Sequence, residues 1–299
     1  MMDVSIIIVN YNTAVLTQNC IDSIYKYSSP SQFEVILIDN ASTEPLNTNY
    51  YSNFPHLTLI QNKFNYGFGY ANNQGIKIAK GEFVFLLNSD TELTSDAIME
   101  FLAFMRNPLN HQIAVCGAEL FTGSETPTPS FGNFPTILGS LASLGFRYLI
   151  PNYYTRHLAI GVVNYNIKVK RVDLVSGANM FIRKNVLEQV GLFDEEFFLY
   201  FEETELSYRI YKSGYYSVIL PFIKIKHLEG SSTPLSQGEF NYFIFGHYVK
   251  SRRLFYKKAY GLSMSYVFLP LDILYTILRS ILKKEGGNLF KKIKLILNA

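Results

Sequence analysis

The sequence predicts an α/β fold: a mostly parallel central sheet flanked by helices, followed by a helical, basic C-terminal extension. Three observations carry this. Short apolar, β-branched runs alternate with helical patterns through the first third of the chain. Three of those runs end in polar clusters: Asn10-Tyr11-Asn12, Asp39-Asn40 and Asn88-Ser89-Asp90. Charge is divided unevenly beneath a formal net charge of +3. Residues 1–239 carry 16 Lys+Arg and 22 Asp+Glu, a net of −6, whereas residues 240–299 carry 11 and 2, a net of +9. A boundary near residue 239 follows, with a first domain at 1–239 and a helical tail at 240–299.

Each element has a local reason. Val4–Val9 is an almost uninterrupted β-branched run, the pattern of a strand buried on both faces. A helix follows to about Tyr27, with Leu16, Cys20, Ile21 and Ile24 on one stripe. Phe33–Ile38, Leu57–Gln61, Phe83–Leu87 and Ile113–Cys116 are further strands, with helices over about 72–79 and from Thr94 or Ser95 to Met105. The stretch 122–170, rich in Pro, Gly, Asn and Tyr, reads as a long functional segment, a lid over an acceptor, with a short helix near 137–144. Strands then recur at Val172–Val175, Met180–Ile182, Tyr216–Leu220 and Ile223–His227. Helices recur at Arg183–Val190, closed by Gly191, and at Thr204–Lys212. Strand–helix–strand repetition implies right-handed crossovers and an open parallel sheet, whose ligands bind beyond the strands' carboxyl ends. The three polar clusters sit at those ends.

Composition excludes several classes. With 48% hydrophobic and 17% charged residues, the 299-residue chain is not disordered as a whole. Two cysteines, Cys20 and Cys116, supply no disulfide framework or cysteine-rich zinc site. Met1-Met2-Asp3 lacks the basic start of a signal peptide. Leu262–Leu282 is apolar but carries Pro270, Asp272 and Arg279, so it is not a clean transmembrane helix.

Four groups of residues can carry chemistry, and each has a plainer reading. Asp90, closing a strand, can bind a divalent cation that bridges phosphates or can cap the next helix; the triplet alone favours the cap. Glu202-Glu203-Thr204-Glu205 places acids at a helix start, where the dipole favours them. That explains Glu205; acids abutting Phe197, Phe198, Tyr200 and Phe201 also suit a general base, because apolar rings raise a carboxyl pKa. His227 is an ordinary loop-edge histidine, or a partner of Asp90 in a mixed O,N metal site. The glycines of 65–75 open a helix without dinucleotide-fingerprint spacing, yet allow close backbone approach to a phosphate ligand.

Seven stretches occur in a familiar order: SIIIVNYN (5–12), IDNAST (38–43), NYGFGYANNQGI (65–76), FLLNSD (85–90), SGANMFIRK (176–184), GLFDEEFFLYFEETELSYR (191–209) and KHLEGSS (226–232). With them the chain resembles the GT-A-fold, Rossmann-like, family-two inverting glycosyltransferases, in particular the rhamnosyltransferase-like members that build bacterial surface polysaccharides. The resemblance spans about residues 4–232. It implies that Tyr11 stacks on the nucleotide base, and that Asp39 bonds base or ribose with Asn10 and Asn40 beside it. Asn65, Gly67 and Asn72 would line the nucleotide-sugar pocket, and Ser176 and Gly177 would shape the sugar and acceptor pocket. Asn88-Ser89-Asp90 stands at the family's D-x-D motif, so Asp90, with His227, would hold Mn²⁺ or Mg²⁺. Glu203 stands at the catalytic base, with Glu202 adjacent. Two departures are visible: Asn88 replaces the first acid of D-x-D, and the base position is Glu where Asp is common.

The implied function is transfer of a sugar from a nucleotide diphosphate donor, dTDP-rhamnose or a UDP-hexose, to a hydroxyl of a glycan or lipid-linked oligosaccharide. The competing function is a non-catalytic carbohydrate-binding scaffold subunit, which the retained acids disfavour. A nucleotidyltransferase is disfavoured because no glycine-rich basic loop follows the first strand. In the tail, Lys and Arg interleave with apolar runs, so an anionic membrane surface fits better than nucleic acid; a helical cap or homo-oligomer contact is the plainer alternative. The expected location is cytoplasmic, peripheral on the inner face of the cell membrane.

Overall fold

The computed structural model describes residues 2–44, 46–124, 126–154, 168–228, 240–282 and 286–299. The chain starts with β1 (Val4–Asn10), α1 (Ala14–Tyr27), β2 (Phe33–Asp39), α2 (Thr48–Tyr51), β3 (Leu57–Gln61) and α3 (Phe68–Ile78). β4 (Phe83–Asn88), β5 (Thr91–Leu93), α4 (Ala97–Arg106) and β6 (Ile113–Phe121) follow. Next come β7 (Phe131–Gly132), α5 (Ile137–Ser143), α6 (Pro151–Tyr153), β8 (Lys170–Val172), β9 (Leu174–Val175) and β10 (Asn179–Arg183). α7 (Lys184–Val190), α8 (Glu202–Lys212) and β11 (Tyr216–His227) complete the sheet region. Helices α9 (Tyr242–Tyr260), α10 (Leu262–Leu282) and α11 (Leu289–Leu297) form the tail.

Among the described residues the main sheet runs β3-β2-β1-β4-β10-β6-β11-β5, with β8 also paired to β11. β1, β2, β3 and β4 are mutually parallel, as are β6 and β11; β10, β5 and β8 pair antiparallel. The strand order turns back between β1 and β4, which is where such a sheet opens a crevice. Register aligns Asn10 with Asp39 and Val9 with Asn88, so the polar strand ends lie side by side.

Alternation along the buried strands feeds two cores. Ile6 and Ile8 join α1 and α4 through Cys20, Ile24, Ile98 and Phe101 on one face. Ile7 and Ile36 join α3, α7 and α8 through Ile76, Leu187, Leu206 and Ile210 on the other. A third cluster, Phe197 with Phe255, Tyr256 and Phe268, ties the tail to the sheet region. Each fully buried aromatic there contributes roughly 1.5–3 kcal/mol of transfer free energy.

The structure differs from the sequence pattern in three places. Tyr216–His227 is one strand, because a register shift between Leu220 and Lys224 absorbs Pro221. The segment after Asp90 is a strand, and Asp96 caps α4 by accepting from the Met99 N–H at 3.3 Å. α10 stays helical through Pro270, and Asp272 pairs with Arg252 of α9 at 3.0 Å. The expected boundary near residue 239, the 229–232 part of the KHLEGSS stretch and much of the second half of 122–170 lie outside the described residues.

Candidate functional site

A cavity of about 500 Å³ opens at the carboxyl ends of β1, β2 and β4. Its sheet-side wall comes from turns. Asn10 is wholly buried; its Oδ1 accepts from Thr13 and Thr17 hydroxyls at 2.9 and 2.8 Å, and its Nδ2 donates to Asp39 at 2.9 Å. Asp39 also accepts from the Ser42 hydroxyl at 2.5 Å. Asn10 and Asp39 therefore brace the floor and do not line the cavity. Tyr11, 43% exposed, and Asn40 do line it.

Asn40 is a hub. Its Nδ2 donates to Asn65 Oδ1 at 2.9 Å, while its Oδ1 accepts from Asn62 Nδ2 at 3.0 Å and from the Tyr66 N–H at 3.3 Å. Asn65 Oδ1 accepts in turn from the Gly67 N–H at 2.9 Å. Gly67 has φ +88°, and a Cβ there would stand 2.3 Å from the Phe198 carbonyl oxygen. Only glycine lets the start of α3 approach that backbone, which then accepts from the Phe68 N–H at 3.1 Å. Asn72, buried, donates to the Phe68 carbonyl at 2.9 Å and braces the first turn of α3 outside the cavity.

Asn88 and Asp90 come from the turn between β4 and β5, and His227 from the end of β11. Pairing of β5 with β11 sets His227 opposite Thr91, and the Leu228 N–H donates to the Asp90 carbonyl at 2.9 Å. The result is a buried contact of 3.2 Å between His227 Nε2 and Asp90 Oδ1, with both side chains on the cavity. Because Asp96 caps α4, Asp90 is spared for this site. The pair offers one hard carboxylate and one imidazole. No cluster of three His, Cys, Asp or Glu able to cage an ion occurs among the described residues. Two protein donors, with phosphate and water completing the shell, is a donor set that fits a substrate-bridging Mg²⁺ or Mn²⁺.

The start of α8 lines the same cavity. Tyr200 and Phe201 both have left-handed φ, +67° and +65°. Such residues cost of order 1–3 kcal/mol each and persist only where packing over-determines them. Here α9 does that. Tyr248 packs on both rings at 6.0 and 5.5 Å between centroids, Phe255 packs on Phe201 at 5.8 Å, and the Ser251 hydroxyl donates to the Leu199 carbonyl at 2.8 Å. The kinked segment delivers Glu202 and Glu203 onto the cavity. A Cβ on Gly177 would stand 3.8 Å from Glu203, so the Ser176-Gly177 turn lies against that side chain. Glu205 is committed elsewhere, in a two-oxygen ion pair with Arg209 at 2.7–2.9 Å.

Burial, together with the neighbouring Glu203 charge, pushes Glu202 well above the usual carboxylate range. Glu202 Oε2 is buried with no hydrogen-bond partner. Burial also raises Glu203, opposed by backbone N–H donors and the Thr204 hydroxyl at the helix start.

Of the fourteen site residues expected from sequence, eleven line this cavity: Tyr11, Asn40, Asn65, Gly67, Asn88, Asp90, Ser176, Gly177, Glu202, Glu203 and His227; the other three, Asn10, Asp39 and Asn72, do not. Sequence reasoning missed Thr13, Phe68, Leu199, Asn241, Phe243 and Ile244. The last three belong to the start of the tail. The described part of 122–170 does not line the cavity; it packs outside, where Tyr260 donates to the Pro135 carbonyl at 2.7 Å and Phe134 meets Tyr208 at 5.3 Å.

The glycosyl transferase family 2 model matches residues 5–191, more than half of the chain. A low-salt glycan biosynthesis hexosyltransferase of Haloferax volcanii is 29% identical over 214 residues, 69% of this chain and 61% of that one. An N-acetylglucosaminyl-diphospho-decaprenol L-rhamnosyltransferase of Mycobacterium tuberculosis is 26% identical, covering 67% of each. The matched region thus spans about two thirds of those relatives' lengths. Among solved structures, S. aureus TarS 1-349 in complex with UDP-GlcNAc superposes with a TM-score of 0.59 at 18% identity, over 99% of this chain and 79% of that one. GalNAc-T7 with UDP, GalNAc and Mn²⁺ gives 0.65 at 15%, over 100% and 54%. These likenesses show the GT-A fold, and the chain belongs to glycosyl transferase family 2.

Proposed function

We propose that this member of glycosyl transferase family 2 transfers a sugar, by inverting displacement, from a nucleotide diphosphate donor to a hydroxyl of a cell-surface glycan or its lipid-linked precursor. One observation carries the reading: Glu203 and the Asp90–His227 pair line one and the same cavity at the sheet's carboxyl edge. That supplies a base and a diphosphate clamp within one cavity. The relatives' names, a hexosyltransferase and an L-rhamnosyltransferase, support a hexose or rhamnose as the transferred sugar, and dTDP-rhamnose and UDP-hexoses are the donors to try.

Glu203 takes the proton of the acceptor hydroxyl as that oxygen attacks the anomeric carbon. Burial raises both carboxyls, and the charge of Glu203 adds to the rise at Glu202. The Gly67 and Phe68 backbone and the Asn40–Asn65 pair shape the sheet-side pocket for the nucleotide, with Tyr11 against the base. Asp90 and His227 would hold the divalent cation, which when bound offsets the charge of the departing diphosphate. A thermal-shift screen of nucleotide sugars with and without Mn²⁺ tests this. A nucleotide sugar should raise Tm, and more so with Mn²⁺; a flat response to every nucleotide sugar contradicts the reading.

The tail supports work at a membrane surface. α10 is long and apolar enough to cross a bilayer, and little of it is buried; Tyr266, Ile281 and Leu282 are exposed. In α11, Phe290 is 84% exposed beside Lys291 and Lys294. Because Asp272 is paired to α9, the reading is an interfacial helix pair on an anionic leaflet, not a span. Anionic liposomes should sediment the protein at low salt and release it at high salt; no sedimentation at low salt contradicts this.

A further inference from the structure

Resting on the transferase reading above, the structure assigns the first turn of α9 as the acceptor subsite, with Phe243 as the face on which an uncharged acceptor sugar packs. The acceptor hydroxyl must reach Glu203. The strand-end wall, with its amides, Asp90 and His227, is matched to the polar and anionic half of a nucleotide donor. The remaining wall is Phe198, Leu199, Tyr200, Asn241, Phe243 and Ile244. It carries no acid or base, so it suits a neutral ring and not a phosphate.

Phe243 lines the cavity yet is 65% exposed, so one ring face is open to a ligand. Its position is braced from behind. His247 meets Phe243 edge-on at 4.5 Å between centroids and packs on Phe198 at 4.6 Å with the rings tilted by 30°. Burial and the Lys250 charge lower the His247 pKa, which disfavours its charged form. Asn241 caps α9 by accepting from the Ile244 N–H at 3.0 Å, which leaves its amide NH₂ as a hydrogen-bond donor on a mainly apolar wall. A braced aromatic face with a nearby amide donor matches a sugar, which has an apolar face and a rim of hydroxyls. α11 packs on the far side of the same turn, with Lys291 over the Tyr242 ring at 3.9 Å and Leu295 against Gly246.

The test uses the full chain and octyl glycosides of glucose, galactose, N-acetylglucosamine and rhamnose as acceptor probes. Saturation-transfer NMR reads sugar-ring contact without turnover. Transfer kinetics read acceptor KM, and titration with the nucleotide sugar that stabilises the wild type most reads donor Kd. Phe243→Ala should remove the sugar-ring signal and raise acceptor KM at least about tenfold, with donor Kd unchanged within about twofold. Phe243→Tyr should keep both near wild type. No sugar-ring signal in the wild type, an unchanged KM in Phe243→Ala, or a donor Kd weakened in step with KM overturns the assignment. Failure of the wild type to bind any nucleotide sugar overturns the transferase reading beneath it, and this assignment with it.

Discussion

The two walls of the cavity are built differently. The strand-end wall is polar and assembled from short turns directly after β1, β2 and β4. The helical wall is mainly apolar and assembled from residues 198–200 and the start of α9, about 40 residues apart in sequence. The first holds its side chains by hydrogen bonds, as in the Asn40–Asn65 pair. The second holds strained backbone by ring packing and the Ser251–Leu199 bond. The division teaches that the tail is part of the site: α9 both lines the cavity and fixes the segment that aims Glu202 and Glu203.

The largest effect that could break this division is on the polar wall. Asp90→Ala should lower turnover by about 10²–10³-fold, as loss of a transition-state charge partner does, and should abolish the Mn²⁺ dependence of nucleotide-sugar thermal shifts. Activity and Mn²⁺ response surviving in that variant would mean the wall is not a diphosphate clamp. A smaller effect sharpens the helical wall. Ser251→Ala removes one hydrogen bond, worth about 0.5–1.5 kcal/mol, so kcat should fall several-fold. Acceptor KM should hold, and the acid limb of the pH profile should move as Glu203 shifts; a fall in stability alone, with kcat and the profile untouched, would make α9 a mere prop. The smallest is on stability. Burial raises the native pKa of Glu202 above its unfolded value of about 4.3, so the native state binds more protons across that window. Stability therefore falls as pH rises through it. Glu202→Gln should raise Tm at pH 7, with the gain fading below about pH 4. A lower Tm at pH 7 would contradict the burial argument.

Legibility followed the same division. Strand ends announce themselves, because a β-branched run broken by Asn or Asp marks both the strand and its edge residue; Tyr11, Asn40, Asn88 and Asp90 were readable that way. Asp90 could not be told from a helix cap, since the competing cap, Asp96, emerged only with the turn into β5. The 3.2 Å approach of His227 depends on β5 pairing with a strand some 130 residues later, which no local pattern encodes. The helical wall was hidden more deeply. Phe198, Phe243 and Ile244 look like any core residues, and Tyr200 and Phe201 gave no sign of left-handed backbone, a state glycine usually marks. The charge change near residue 239 pointed to a helical tail, but could not show the first turn of α9 folding back onto the cavity.

The central claim is that Glu203 is the base that both walls are arranged around. The direct measurement is kcat of Glu203→Gln with donor Kd determined on the same preparation. Raised by burial, Glu203 should also give wild-type kcat/KM an acid limb above the ordinary carboxylate pKa of about 4.3. The variant should lose at least about 10²-fold in kcat while donor Kd stays at the wild-type value. Wild-type turnover in Glu203→Gln, with the donor bound as before, would remove Glu203 as the base and leave the cavity without one.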